Sequence, residues 1–179
     1  MTLDEFLASV ERRAFSMARL ASRSNTEALD IVQESMLKLV QSYRHKPSQQ
    51  WPMLFQRILQ HCILDWHRQN TRSRRLFWWS DADNIDNDEH SDWIEKVADH
   101  NEGNPAHLLA SAHDTQQVMA AIEQLPIRQQ QAFLLRAWEG FDVNDTAQIM
   151  RCSKGSVKTH YFRAQARLKT LLEASDETR

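Results

Sequence analysis

Apolar residues recur at steps of three and four along three stretches of the first 75 residues. Leu3, Phe6, Leu7, Val10, Ala14, Met17 and Ala21 trace one stripe. That period predicts an amphipathic helix, and Thr2 with Glu5 supplies a capping box for it. A second stripe, Leu29, Val32, Met36, Leu39 and Tyr43, predicts another helix, with Thr26 placed to cap it. A polar loop with Pro47 follows at 44–50. A third stripe then runs through Trp51, Leu54, Phe55, Ile58, Leu59, Cys62 and Trp66. Pro52 fits only the first turn of that helix. Three such helices bury one small core.

The periodicity fails over 76–112, where acids alternate with the isolated aromatics Phe77, Trp78, Trp79 and Trp93. Such a stretch predicts a linker. Helical spacing resumes from about 114. Val118, Ala121, Ile122 and Leu125 are stopped by Pro126. Ala132, Phe133, Leu135 and Trp138 end at Glu139-Gly140, a pair that suits a helix C-cap. Asp142 caps a short helix carrying Ile149 and Met150. Ser153 caps a last one through Val157, Tyr161, Ala164, Leu168 and Leu171.

Composition agrees with helices alone. Of 179 residues only 3 are Gly and 4 are Pro, whereas Leu and Ala number 18 each. Turn-rich β architectures need more of the first pair, and good helix formers dominate. The expected fold is all-α, with two small helical domains at 1–75 and 113–179 joined by an acidic linker at 76–112. The two cysteines, Cys62 and Cys152, form no CxxC, so no disulfide framework is implied. No apolar run approaches the roughly 18 residues of a membrane span, and no signal peptide is evident. A soluble cytoplasmic protein without membrane contact is expected.

The formal net charge of -2 hides segregation. Residues 1–75 carry 12 basic and 7 acidic side chains, 76–112 carry 1 and 9, and 113–179 carry 9 and 8. The stretch 151–169 holds Arg151, Lys154, Lys158, Arg163, Arg167 and Lys169 and no acid. Positive patches of this kind suit a polyanion, because each phosphate contact releases condensed counterions. The segment 142–169 reads as a helix-turn-helix: a short helix, the connection Met150-Arg151-Cys152, then a helix starting at Ser153. Hydrogen-bonding residues on its first turns suit a major groove, and the arginines suit phosphates. An αα-hairpin with a polar face has the same spacing. His61, Cys62 and His67 lack a compact zinc spacing, and His100, His107 and His113 are spread out. No P-loop, HExxH or GxSxG occurs. No metal, no cofactor and no catalytic residue is expected.

The run 125–168 resembles the promoter-binding domain of extracytoplasmic-function (ECF) sigma factors. The shared marks are Leu125-Pro126, Leu134-Leu135-Arg136, Glu139-Gly140, Ala147, Ser153, Gly155, Val157-Lys158 and Arg163-Ala164. Ser156 to His160 also looks like DNA-binding domains of the LuxR type. The N-terminal half discriminates. Residues 27–40 are similar to the family's polymerase-binding helix through Asp30, Val32-Gln33-Glu34 and Leu37. Residues 51–69 are similar to its promoter-melting helix through Arg57-Ile58, Asp65 and Arg68. The chain departs from the family at Leu54 (usually Trp), His61 (Asn), Thr146 (Ile), Arg151 (Gly) and His160 (Arg).

The resemblance implies a non-enzymatic subunit that binds core RNA polymerase, recognises promoter DNA and promotes its opening. Asp30, Gln33, Glu34 and Leu37 would dock on the clamp coiled coil, while the C-terminal domain would meet the flap. Lys46, Trp51, Arg57, His61, Asp65 and Arg68 would handle the melted minus-ten strand, with Trp66, Arg72, Arg74 and Arg75 nearby. Ser153, Lys154, Ser156, Lys158, Thr159, His160 and Arg163 would meet the minus-thirty-five duplex. The linker would run through a polymerase channel, and an anti-sigma factor is a further possible partner. The rival is a LuxR-like regulator that binds duplex DNA without joining polymerase.

Overall fold

A computed structural model describes residues 1–77 and 112–177, with side chains for 1–71 and 115–174. The tryptophans 78, 79 and 93, most of the acidic linker, and the side chains of Arg72, Arg74 and Arg75 lie outside the described residues. Every regular element among the described residues is helical. The chain divides into two compact units, 1–87 and 88–179.

The first unit packs three helices, α1 (Leu3–Ser22), α2 (Asn25–Tyr43) and α3 (Trp51–Phe77), each against the other two. The capping box at Thr2 forms in both directions. Arg23 closes α1 in the left-handed region, φ 57°, and donates its N–H to the Arg19 carbonyl. The cap of α2 is Ser24, which accepts from the Glu27 N–H, rather than Thr26. Because Arg23 reverses the chain in a single residue, the next helix starts two positions sooner than Thr26 implies.

The inner face of α2 also differs from the expected one. It is Ala28, Ile31, Val32, Ser35 and Leu39, while Leu29 is 50% exposed. Successive helical residues lie about 100° apart, so Leu29 falls beside the stripe that begins at Ala28. Small residues at 28 and 35 let neighbouring helices approach, and the Ser35 hydroxyl is satisfied by donating 2.7 Å to the Ile31 carbonyl. At the opposite wall Phe6 meets Phe55 edge-on, centroids 6.0 Å apart, and Trp51 at 5.8 Å.

The second unit is built on α7 (Lys154–Glu177), against which α4 (Ala112–Glu123), α5 (Ile127–Phe133) and α6 (Val143–Met150) all pack. Pro126 separates α4 from α5, and the buried Gln130 side chain donates to the Ile122 carbonyl, 2.9 Å, near the end of α4. A single π-helical stretch, Leu134–Trp138, continues α5. Gly140 then turns with φ +76°, a conformation Gly adopts without a Cβ clash. Val157, His160, Ala164 and Leu168 form the buried stripe of α7.

Thr146 carries a testable cost. It is fully buried in α6, and its hydroxyl has no hydrogen-bond partner among the described residues. A buried unpaired hydroxyl costs about 1–3 kcal/mol. Thr146→Val removes it with little change of shape. We expect the C-terminal unit to gain about 1 kcal/mol, read as a higher thermal midpoint; an unchanged or lower midpoint would show that the hydroxyl is satisfied in solution.

Candidate polymerase and nucleic-acid surfaces

On α2, Asp30, Gln33, Glu34 and Leu37 are all exposed, Leu37 by 56%. Leu29, Gln33 and Leu37 follow at steps of four, so an apolar residue stands at each end of the face and Asp30 and Glu34 run alongside. Glu34 pairs with Lys38 at 2.7 Å. That hydrogen bond raises the Lys38 ammonium pKa above its ordinary value despite partial desolvation. Leu29 belongs to this surface although its spacing suggests core; the signal is its phase, one step off the small-residue seam.

On α3, Arg57, His61, Asp65 and Arg68 follow at steps of four, four and three and share one face. His61 lies 3.3 Å from Asp65, and Arg68 lies 3.6 Å from the same carboxylate. Lys46 is exposed in the turn before α3. Trp51 is not part of this face. It is buried against Phe6, and its indole N–H donates to the Tyr43 carbonyl at the end of α2. Its place four residues before Phe55 puts it on the inward stripe, so it has no ring face to offer a base. Trp66 is half-buried and donates its indole N–H to Glu27 at 2.7 Å.

The helix-turn-helix is α6 and α7. Asp142 caps α6 by accepting from the Asp145 N–H. Arg151 ends it in the left-handed region, φ 53° and ψ 49°, where glycine is the less strained residue. Ser153 caps α7: its hydroxyl accepts from the Ser156 N–H at 3.0 Å and lies 2.9 Å from the Ser156 hydroxyl. Ser153, Lys154, Lys158 and Arg163 are exposed, and Ser156 and Thr159 are half-buried. An open groove between the helices is lined by Asn144, Gln148, Arg151, Cys152 and Lys154.

His160 must be removed from the duplex-facing set. It is 1% exposed, because three residues after Val157 and four before Ala164 is the core phase of α7. Phe162, by contrast, is 52% exposed on the same helix, four residues after Lys158. An aromatic out of phase with the buried stripe is the sequence signal that marks it. Among the described residues no cluster of three or more His, Cys, Asp or Glu is placed to hold a metal ion.

Residues 115–168 match the family model "Sigma-70, region 4". Over 171 residues the chain is 28% identical to the ECF RNA polymerase sigma factor EcfG of Rhodopseudomonas palustris, covering 94% of this chain and 83% of that protein. It is 26% identical to the ECF sigma factor SigX of Bacillus subtilis, over 89% of this chain and 76% of the relative. In fold it resembles the sigma factor RpoE of Bartonella quintana, solved in complex with the anti-sigma factor NepR. The TM-score is 0.65 at 22% identity, over 95% of this chain and 96% of that one. The chain is thus similar to ECF sigma factors over 94% and 89% of its length in these two comparisons. No described helix is long and apolar enough to cross a membrane.

Proposed function

We propose that the chain binds core RNA polymerase, selects promoter DNA and promotes its opening. The N-terminal unit would dock through Asp30, Gln33, Glu34, Leu37 and Leu29 on α2. It would handle the melted minus-ten strand through Lys46, Arg57, His61, Asp65 and Arg68, where arginines track phosphates. The C-terminal unit would meet the minus-thirty-five duplex through Ser153, Lys154, Ser156, Lys158, Thr159 and Arg163, with Phe162 as an apolar contact for a thymine methyl. None of these steps requires bond chemistry by the protein, in keeping with relatives that are sigma factors.

The observation that carries the proposal is the coverage of the relatives. A regulator of the LuxR type accounts for the helix-turn-helix alone, whereas the ECF relatives match 94% and 89% of this chain. The N-terminal unit then has its own role, and its exposed acidic and apolar face on α2 supplies the chemistry for it. The Bartonella relative was solved with an anti-sigma factor, and the exposed Leu29 and Leu37 on this chain are suitable apolar anchors for a protein of that kind. The working compartment in this proposal is the cytoplasm, where polymerase and the nucleoid reside.

Run-off transcription tests the proposal. Purified bacterial core polymerase is given a promoter library with and without the chain. Selective initiation that depends on the chain is expected. Duplex binding with no retention on core polymerase and no initiation would favour the stand-alone regulator.

A further inference from the structure

Two arginines hold the ends of α6. Arg128, in the first turn of α5, donates Nη1 to the Gln131 side chain at 3.1 Å and Nη2 to the Met150 carbonyl at 3.1 Å. Met150 is the last residue of α6. Its carbonyl is among the four that a helix C-terminus leaves without an intrahelical partner. The backbone N–H groups of Arg151 and Cys152 both go to the Ala147 carbonyl, so neither serves that of Met150. Arg136, in the π-helical stretch, donates Nη1 to the Phe141 carbonyl. Phe141 is the residue just before the Asp142 cap. The Arg136 guanidinium also lies 5.7 Å from the centre of the Tyr161 ring on α7, and that ring stacks on Phe133 at 6.1 Å. Both arginines are half-buried, and Gln131 is buried.

From this geometry we infer that Arg128 and Arg136 are positioning residues that fix the pose of the recognition helix. The inference rests on the reading of α7 as the duplex-binding helix. An eight-residue helix has little stability of its own, and apolar packing permits small slides and rotations. Hydrogen bonds from a guanidinium are charge-assisted and directional. One at each end of α6 fixes both its place along its axis and its tilt. The Arg151 turn and the Tyr161 contact pass that pose to α7. A correctly placed α7 matters for reading base edges, which needs close geometry, more than for phosphate attraction, which does not. The two arginines therefore govern discrimination between duplex sequences more than overall affinity.

The test uses the full chain assembled with bacterial core polymerase. A promoter is first selected from a random library, and a second template carries the same promoter with its upstream element scrambled. The readout is the ratio of initiation on the two. In the Arg128→Met, Arg136→Met double variant the ratio should fall by about tenfold or more, comparable to one or two mismatched base pairs. Initiation on the scrambled template and retention on core polymerase should hold, with the near-ultraviolet circular dichroism native at the assay temperature. Arg128→Lys keeps the charge but replaces the rigid fork, whose two nitrogens reach Gln131 and Met150 separately, by one nitrogen on a flexible stem, so its ratio should fall between. If the double variant does not fold, the lysine variant carries the test, and an unchanged ratio there overturns the inference. An unchanged ratio in a folded double variant also overturns it. So does a ratio that falls only in step with the native signal and recovers on cooling, which marks ordinary stabilisation. If the wild-type protein itself ignores the upstream element, the reading of α7 fails first, and the inference with it.

Discussion

Reversing the charge of Asp30 and Glu34 together, Asp30→Lys with Glu34→Lys, is expected to lower initiation by about 100-fold or more while leaving the fold intact. The expectation rests on comparing two costs. Both carboxylates are exposed, so neither contributes a buried interaction. The one bond lost is the Glu34–Lys38 pair on the helix surface, and such a pair is worth about 0.3–0.5 kcal/mol. The new like-charge contact with Lys38 costs a similar amount. At a docked interface the balance differs. Two attractive contacts with a basic partner become two repulsive ones, and like charges held together there cost several kcal/mol. A loss of about 3 kcal/mol is roughly 100-fold. Retention of the variant on core polymerase and run-off yield measure the effect, with circular dichroism as the check on folding. Full initiation by a folded double variant would remove α2 from the docking surface. Leu37→Ala should show a smaller loss in the same assays, because it removes apolar area without adding repulsion.

How far the chain could be read depends on which physical signal each residue carried. Helix number and order were legible because stripes at steps of three and four persist over many turns. The caps at Thr2, Asp142 and Ser153 were legible because their partners lie three residues on. The seam of α2 was not, because Ala28 and Ser35 mark close approach by being small, and a search for large apolar side chains selects Leu29 instead. Trp51 and His160 depart from expectation for a related reason. Both have chemistry suited to nucleic acid, and both occupy core phase. Phase decides, because a side chain pointing inward is committed to packing whatever it could do outside. Phe162 is the converse case, an apolar ring in a solvent-facing phase. The arginines that hold α6 were hidden for a different reason. The partners that tie them to α6 are backbone carbonyls 22 and 5 residues away, and a carbonyl has no identity in a sequence. For the minus-ten set the shared face of Arg57, His61, Asp65 and Arg68 follows from spacing alone.

Phe55→Ala is expected to unfold the N-terminal unit and leave the C-terminal unit standing. Phe55 is almost wholly buried and meets Phe6 at 88° with centroids 6.0 Å apart; Phe6 in turn packs on Trp51. Truncating a buried Phe to Ala costs about 3–5 kcal/mol, from lost transfer energy and the cavity left behind. Whole domains are stable by only about 5–15 kcal/mol, and small ones sit near the lower end. The substitution therefore removes most of the stability of a three-helix unit. The second unit has a core of its own around Leu135, Val157 and Ala164, so its stability should change little. Hydrogen exchange on the full chain separates the two. Protection should be lost through 3–71 and kept through 115–168. Retention on core polymerase should fall with it, because α2 no longer presents a fixed face. Phe55→Leu, which keeps most of the volume, should keep both the protection and the retention. Joint loss of protection in the two segments would instead show that the units fold as one cooperative body, and the proposed division of labour between them would have to be given up.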